Sequence, residues 1–280
     1  MDCLHNIMRQ RRLLPLLLCA VMVGSTFSGC TGSGDESETS VIDFVVYYDT
    51  TSGVIEEVMQ NNQQVSQNDV DILFDFSYTM SSEGEMTVFY LEPGDGSSRI
   101  ENNAAENGEI SYTYATHGLF PAVIGAIDDQ GNEYNETVTI RIDKRISWSD
   151  DSTTNPATMN IDARPDCVCA APEKIDIDSV VENPANGFGF GGQSVTVTWQ
   201  LTNSTDVIAA ESQPEQIGDG QDANWVHGQY FIESGIWKLN VELSAEGNGD
   251  EQVNVDHAVT ISYEAEESMP NPSTVPVPEE

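Results

Sequence analysis

The residues best suited to bind a ligand lie in the acidic run at positions 128–133, which reads Asp-Asp-Gln-Gly-Asn-Glu. Asp128, Asp129, Asn132 and Glu133 offer carboxylate and amide oxygens, the ligands that calcium takes from flexible loops. The spacing is not that of an EF-hand, because no acid follows at the closing position. An Asp/Gly/Asn-rich hairpin turn explains the same residues. Two interpretations therefore stay open, a calcium loop and a structural turn, and no other cofactor is indicated.

The N-terminus has the features of an export signal that ends in a lipidated cysteine. Three arginines precede an apolar run at 13–23, and the small pair Ser28-Gly29 stands directly before Cys30. A basic start, a short apolar core and small residues at the cleavage point are typical of a signal peptide. The sequence resembles a lipobox, so we expect acylation at Cys30. An ordinary secretory signal is the alternative.

The remaining cysteines, Cys167 and Cys169, are separated by one residue. The oxidising surroundings of an exported protein favour a disulfide between them. A zinc site takes four ligands, and no histidine lies near this pair. We expect a local disulfide, and a redox role is the alternative.

No set of residues in the sequence forms a catalytic motif. His117, His227 and His257 lie near predicted strand ends without paired ligand spacing. A nucleophile needs a base and a group that orients the base, and neither a G-x-S-x-G nor an H-E-x-x-H motif is present. We therefore expect no catalytic residue.

Three positions are candidates for glycan or ligand contacts. Asn135 and Asn203 begin N-x-Ser/Thr sequons, which suit a surface protein. Trp225 stands beside Asn224 and His227 in what we predict to be a loop, so it is the tryptophan we expect to meet a ligand. Trp199 and Trp237 lie on alternating apolar faces and are predicted core residues.

The charge of the chain excludes whole classes of partner. It has 47 acidic and 10 basic residues, a net charge of −37. Nucleic-acid binding and adsorption on anionic lipid both require a basic surface. The membrane contact we expect is therefore the lipid anchor alone. An acidic surface that stays hydrated in salt explains the charge, and divalent-cation binding at the cell surface is the alternative.

Short apolar runs with a period of two alternate with turn-rich segments after residue 40. Ile72, Phe74 and Phe76 share one face of a predicted strand, and Val138, Ile140 and Ile142 share one face of another. This period allows one sheet face to be buried and the other solvated. Helical spacing is present only around 54–59. The pattern predicts an all-β protein of antiparallel sandwiches.

Residues 70–142 resemble the PKD (polycystic kidney disease) domain, an immunoglobulin-like sandwich of extracellular proteins. The resemblance is carried, in order, by Phe74-Asp75-Phe76-Ser77, Gly94-Asp95-Gly96-Ser97, Tyr112-Thr113-Tyr114, Gly118-Leu119-Phe120, Ile127-Asp128-Asp129-Gln130-Gly131-Asn132 and Thr137-Val138-Thr139-Ile140. Leu91 and Pro93 stand where the family has an aromatic pair, so the packing there must differ. The resemblance implies protein or carbohydrate contacts rather than chemistry.

A weaker repeat of the same plan follows and ends near residue 264. Gly218-Asp219-Gly220 echoes the earlier turn, and 237–244 alternates as a long strand. The fold class we predict is two tandem antiparallel immunoglobulin/PKD-like β-sandwiches after a signal peptide and a flexible tether. Its segments are a lipoprotein signal at 1–29, a tether at 30–40, a PKD-like sandwich at 41–143, a connector at 144–172 with room for the first strand of the next domain, an immunoglobulin-like sandwich at 173–264 and a disordered, acidic, Pro-rich tail at 265–280.

The sequence therefore leads us to expect an exported protein held on the outer face of the cell membrane by Cys30. Its expected role is non-catalytic binding, adhesion or spacing, with a surface protein or a carbohydrate as the partner. An accessory subunit or small hydrolase acting on extracellular polymers is one alternative. A calcium-responsive surface domain is the other.

Overall fold

The computed structural model describes residues 40–165, 167–185, 193–245 and 251–273. Every regular element in these ranges is a β-strand, so the all-β sandwich class predicted from the sequence is confirmed. No helix in them is long and apolar enough to cross a membrane. The predicted signal peptide, Cys30 and almost all of the tether lie outside the described residues.

Ten strands build the first sandwich, and the last of them continues into the second. A two-stranded sheet of β4 and β8 covers a sheet formed by β7, β6, β9 and the first half of β10. The ten strands are β1 (Ile42–Asp43), β2 (Ser52–Gln60), β3 (Gln63–Asn68), β4 (Val70–Asp75), β5 (Met80–Ser81), β6 (Met86–Glu92), β7 (Ile100–Asn103), β8 (Glu109–Tyr114), β9 (Gly118–Asp128) and β10 (Glu133–Thr153).

Aromatic rings from both layers fill the first core. Phe76 stacks on Phe89 with 5.1 Å between ring centroids, and Tyr114 stacks on Phe120 at the same distance. All four rings are buried, because the period of two in each strand turns them to the same side. Offset ring pairs of this kind stabilise a core beyond the area that they bury.

The second sandwich packs a sheet of β11, β17, β13, β14 and β15 against β16, β12, β18 and the second half of β10. Trp199 and Trp237 are buried in its core, as predicted, and Trp148 joins them. Its strands are β11 (Met159–Asp162), β12 (Lys174–Asn183), β13 (Val195–Thr202), β14 (Ile208–Glu211), β15 (Glu215–Ile217), β16 (Gln221–Tyr230), β17 (Ile236–Ala245) and β18 (Val253–Ser262).

Strand β10 belongs to both sandwiches. Its residues up to Ile142 pair with β9, and those from Lys144 onward pair with β18. Strand β2 runs parallel to β10 and pairs with Arg141 through Ser149, so it spans the point where β9 ends and β18 begins. The predicted boundary between 143 and 144 therefore falls inside a continuous strand. The predicted connector contains the second half of β10 and all of β11.

The two cores stay separate at this point because a charged pair interrupts the apolar face of β10. Ile142 is the last β10 residue of the first core, and Ile146 is the first of the second. Lys144, between them on the same face, forms an ion pair with Glu57 of β2 at 2.7 Å, and both side chains are mostly buried. Glu57 lies within positions 54–59, where the sequence has helical spacing. In the structure these positions belong to strand β2.

A histidine ties the first sandwich to the second beside this strand. The hydroxyl of Tyr263 lies 2.8 Å from Nδ1 of His117, and Nε2 of His117 lies 2.9 Å from the carbonyl oxygen of Asp162. A carbonyl only accepts, so Nε2 donates. The backbone N–H of Tyr263 donates to Asp143 of β10 at 3.0 Å. These bonds attach one strand from each sheet of the second sandwich to the first, β11 through Asp162 and β18 through Tyr263.

The segment after β18 returns to the first sandwich and is not the disordered tail predicted from residue 265. Arg141 donates two hydrogen bonds of 2.9 Å to the carboxylate of Glu267. Asn271 and Tyr48 exchange backbone hydrogen bonds of 2.9 and 3.0 Å. Bidentate Arg–carboxylate pairs are among the stronger polar contacts. The order therefore extends at least to 273, and the rest of the predicted tail lies outside the described residues.

We predict that Glu267→Gln releases this C-terminal segment without unfolding either core. Arg141 and Glu267 are both about four-fifths buried. Loss of the charge on Glu267 should therefore weaken the attachment of the segment to the first sandwich by about 1–2 kcal/mol. Limited proteolysis followed by mass spectrometry should show faster cleavage after residue 263. Glu266→Gln, on the exposed neighbouring residue, is the matched control. Equal cleavage of the two variants would contradict the role given to the Arg141–Glu267 pair.

Candidate functional site

The outer face of the second sandwich's longer sheet carries a shallow groove. Strand pairing places residues from five adjacent strands, β2, β10, β18, β12 and β16, in rows across this face. One row is Val58, Ser147, Ala258, Asp178 and Val226. The next is Gln60, Ser149, Asp256, Val180 and Asn224.

The groove exists because the central side chains of these rows are short. Ser147, Ser149 and Ala258 form its floor, while Val58 and Val180 are longer and stand beside them. The resulting cleft has a volume of about 410 Å³. Their partners on the other face of the same strands, such as Trp148 and His257, point into the core because successive side chains alternate.

Polar groups in the groove are mostly acceptors. Asn224 donates a hydrogen bond of 2.8 Å to Asp178. Burial raises the pKa of Asp256, and the negative charges of Asp151 and Glu182 raise it further. Hydroxyls of the two serines, one amide and two carboxylates therefore line a surface that also has valine and alanine side chains. Such a mixture can hold a small polar ligand by hydrogen bonds and apolar contact.

Every basic side chain in the described residues is already paired with an acid. Three of the ten Lys and Arg residues belong to the predicted signal, outside the described residues, which leaves seven. Each of the seven has a carboxylate oxygen within 3.9 Å. The exposed acids therefore have few internal counter-charges, and an anionic ligand would be repelled. The seven are Arg99, Arg141, Lys144, Arg145, Arg164, Lys174 and Lys238.

Asp128, the first residue of the predicted calcium loop, holds the β9–β10 turn together. Its carboxylate accepts hydrogen bonds from the backbone N–H groups of Gln130 and Asn132, from the Ser81 hydroxyl and from the Asn132 side chain, all at 2.7–2.9 Å. Burial raises the pKa of Asp128, but these four bonds outweigh it and lower the pKa to about 2. A calcium ion here would have to displace four donors.

The other members of that loop are also engaged within the protein. Asp129 accepts from the backbone N–H of Glu85 at 3.2 Å, and Glu133 accepts from the Tyr90 hydroxyl at 2.6 Å. No group of three or more His, Cys, Asp or Glu side chains in the described part of the chain is placed to hold a metal ion. The geometry is that of a hydrogen-bonded turn, and calcium binding stays a prediction.

Trp225 lies in strand β16 and not in a loop, so that part of the sequence interpretation is wrong. Its ring stacks on His227 with 5.1 Å between centroids and lies 6.4 Å from Trp199. It is half-buried on the inner face of the strand at the margin of the second core. The alternation of Ala223, Trp225 and His227 in the sequence was the available signal for a strand.

A buried Ser–His pair lies in the second core. Trp199 donates its indole N–H to the Ser179 hydroxyl, which in turn lies 2.7 Å from Nδ1 of His257. An indole only donates, so the Ser179 oxygen accepts from Trp199. The ring of His257 stacks on Trp148 at 4.7 Å. Ser179 is fully buried, so the pair cannot reach a substrate and serves to satisfy polar groups in the core.

The remaining predicted sites are two cysteines and two asparagines, and all four lie away from the groove. Cys167 and Cys169 form a disulfide with each other, and Cys167 is half-buried against the first core. Asn135 is exposed in β10, whereas the side chain of Asn203 accepts hydrogen bonds from Thr205 and Val207 in the β13–β14 turn. Sequence reasoning missed the groove because its residues come together only through cross-strand register.

No protein-family model matches the chain, and no curated protein matches it. Solved structures give distant similarities. A carbohydrate-binding module of the β-sandwich superfamily is 11% identical with a TM-score of 0.29, over 81% of this chain and 93% of that one. CBM51-2 and INT domains of Clostridium perfringens ZmpB, in complex with GlcNAc, are 10% identical with a TM-score of 0.24, over 78% of this chain and 48% of that one.

A third structure is SGBP-B of the Bacteroides ovatus mixed-linkage glucan utilization locus, in complex with a mixed-linkage heptasaccharide. It is 11% identical with a TM-score of 0.19, over 75% of this chain and 52% of that one. The chain therefore spans about half the length of two of these three structures. At these TM-scores the similarities carry no argument about the ligand.

We predict that His257 makes the fold less stable as the pH falls below 6.5. Burial lowers the pKa of His257 from 6.5 to about 4, and a hydrogen bond with the Asp256 backbone opposes this only in part. Between these values the unfolded chain takes a proton that the folded chain refuses. From pH 7 to pH 5 the group should therefore reduce the free energy of unfolding by about 2 kcal/mol.

Urea unfolding of His257→Gln at the two pH values checks this. Glutamine can form a hydrogen bond with Ser179 but does not titrate, so the variant should lack this part of the pH dependence. His227→Gln, at the margin of the same core, should keep it. Identical pH dependence in His257→Gln and the parent protein would refute the prediction.

We also predict that Asp128→Asn destabilises the β9–β10 turn. The folded-state pKa of Asp128 lies below its ordinary value of 3.8, so its stabilising effect is complete above about pH 4 and is lost as the pH falls through about 2. In the parent protein both carboxylate oxygens of Asp128 accept hydrogen bonds. Asparagine replaces one of these oxygens by an NH₂ group, which donates and cannot accept. Thermal unfolding at pH 7 should show a lower Tm than in the control variant Asp129→Asn. At pH 2 the difference should shrink, and a constant difference would argue against this mechanism.

Proposed function

We propose that this chain is a lipid-anchored, non-catalytic binding module at the cell surface, which takes a neutral carbohydrate in the groove around Ala258. The observation that carries the proposal is the groove itself. Its floor of Ser147, Ser149 and Ala258 lies open on a five-stranded face that belongs to one continuous sheet. Binding residues on a rigid scaffold lose little conformational freedom when a ligand binds.

The chemistry of the groove favours sugars over other small ligands. The carboxylates of Asp178 and Asp256 accept hydrogen bonds from hydroxyl groups, and the Ser147 hydroxyl and the Asn224 amide can donate as well as accept. Val180 and Ala258 offer apolar contact to the C–H groups of a sugar ring. The unbalanced acidic charge around the groove disfavours an anionic saccharide.

The placement of the histidines supports a role without catalysis. His117 and His257 are buried and hydrogen-bonded within the protein, and His227 stacks on Trp225. His257 is among the residues that line the groove, but its side chain is buried in the core, so none of the three histidines can act as a base from the outer face. General-base catalysis requires a base within hydrogen-bond reach of the substrate.

The proposal also includes the anchor and the first sandwich. Acylation at Cys30 would hold the protein on the outer face of the membrane, with the acidic segment at 31–40 as a tether. The first sandwich, which resembles a PKD domain, would then hold the groove away from the membrane surface. A spacer role without any ligand is the outcome left if no glycan binds.

Replacing Ala258 by Phe should fill the groove and abolish glycan binding. The prediction is that the purified protein binds at least one neutral glycan on an array, and that Ala258→Phe weakens this binding by more than about tenfold in calorimetry. Ala209→Phe, on an exposed alanine of β14, is the control and should bind like the parent protein. An array without any binding, or binding that survives Ala258→Phe, would overturn the assignment.

Replacing Cys30 by Ser should detach the protein from the membrane. The cysteine thiol is the acylation point, and one to two acyl chains decide whether a protein is stably held on a bilayer. Fractionation of cells that express Cys30→Ser should show the protein in the medium instead of the membrane. Substitution of Cys19, which lies inside the predicted signal, should leave the anchor intact. Continued membrane retention of Cys30→Ser would contradict lipidation.

A further inference from the structure

Strand β16 is an edge strand whose outer side has no partner among the described residues. It lies at one end of the nine-stranded sheet and pairs only with β12, over its full ten residues from Gln221 to Tyr230. Half of the backbone N–H and C=O groups of a regular edge strand point away from the sheet. Long regular edges readily pair with another chain unless charge, proline or a bulge prevents it.

These protections are nearly absent from β16. Its sequence contains one acid, Asp222, and neither lysine nor proline, in a chain with 47 acidic residues. The neighbouring strand β12 carries Asp176, Asp178 and Glu182 over the same length. Its pairing with β12 is regular, without a bulge. The edge is therefore a neutral strip on an acidic protein.

The same strip exposes apolar side chains. Val226 and Tyr230, on its outer face, are 71% and 49% exposed, and Phe231, directly after the strand, is 96% exposed. The backbone of Phe231 has a φ of 57°, a conformation that costs an aromatic residue free energy. The next residue, Ile232, turns back into the core. The local backbone therefore displays an aromatic ring to solvent at a conformational cost.

We infer that β16 pairs antiparallel with β16 of a second copy of this chain, about a two-fold axis at Val226. A two-fold interface requires a self-complementary surface. This register sets Val226 against Val226 and Asp222 against Tyr230 of the second copy, so no two carboxylates lie directly opposite each other. Two copies of an acidic chain repel over the rest of their surfaces, and the neutral strip is where this repulsion is weakest.

The register also completes the aromatic packing on the inner face. Trp225 lies opposite His227 of the second copy, and the two rings already stack within one chain. Both side chains are half-buried at the margin of the second core, and the added strand would cover them. Cross-strand aromatic pairs stabilise a sheet. The inference does not depend on the groove or its ligand.

Sedimentation of the purified protein over a range of salt concentrations tests the pairing. Salt screens the repulsion between acidic chains, so the dimer should become tighter as salt rises. Val226→Glu places like charges opposite each other on the two-fold axis and should weaken the dimer by about tenfold. Val65→Glu, on the exposed valine of edge strand β3, is the matched control and should dimerise like the parent protein. A monomer at every salt concentration would overturn the inference.

A cysteine in place of Val226 tests the register. Directly opposed residues of an antiparallel pair have Cα atoms about 4.5–5.5 Å apart, within the range of a disulfide. Val226→Cys should therefore give a covalent dimer under mild oxidation, while Val65→Cys and the unsubstituted chain, which controls for the native cysteines, should not. Equal cross-linking of the two variants, or dimers that Val226→Glu leaves unchanged, would refute pairing through β16.

Discussion

The structure depends on one strand that serves two hydrophobic cores. Strand β10 carries Val138, Ile140 and Ile142 into the first core and Ile146 and Trp148 into the second, all on the same face. Because its backbone is paired on both sides of the junction, the two sandwiches cannot rotate about a flexible linker. Strand β2 pairs with the part of β10 where the other partner strand changes from β9 to β18, and so it stabilises the junction.

This arrangement explains how a strongly acidic chain stays folded as one unit. Two basic residues bridge elements: Lys144 pairs with Glu57 of β2, and Arg141 pairs with Glu267 of the C-terminal segment. Exposed ion pairs contribute little, but these two are largely shielded from water. Most of the remaining acids face solvent, where hydration and mutual repulsion keep copies of the protein apart except at a neutral surface.

Much of the fold could be predicted from alternation alone, because a half-buried strand must place apolar residues at every second position. Strand β2 was not predicted, because its apolar residues Val54, Ile55, Val58 and Met59 have the spacing of a helix. In the sheet only Ile55 and Met59 face the cores. The alternation of β10 runs on past residue 143, but Lys144 interrupts it. A boundary there was the simplest interpretation of the sequence.

The groove could not be predicted, because no local pattern marks Ser147 and Ala258 as neighbours and only the register of β10 with β18 brings them together. The ordered C-terminal segment could not be predicted for a similar reason. Glu267 and Asn271 bind partners more than 120 positions earlier in the chain, and a proline-rich acidic composition conceals such contacts. Long-range pairing therefore accounts for what alternation and composition leave out.

Amide hydrogen exchange along β10 tests most directly whether one strand joins the two sandwiches. If the strand is continuous, the amides of residues 141–149 should be as well protected as those of Ile140 and Val259 in the two cores, and all should exchange only through global unfolding. Fast exchange confined to the amides between Ile142 and Ile146 would show a hinge at that point. It would contradict the shared strand.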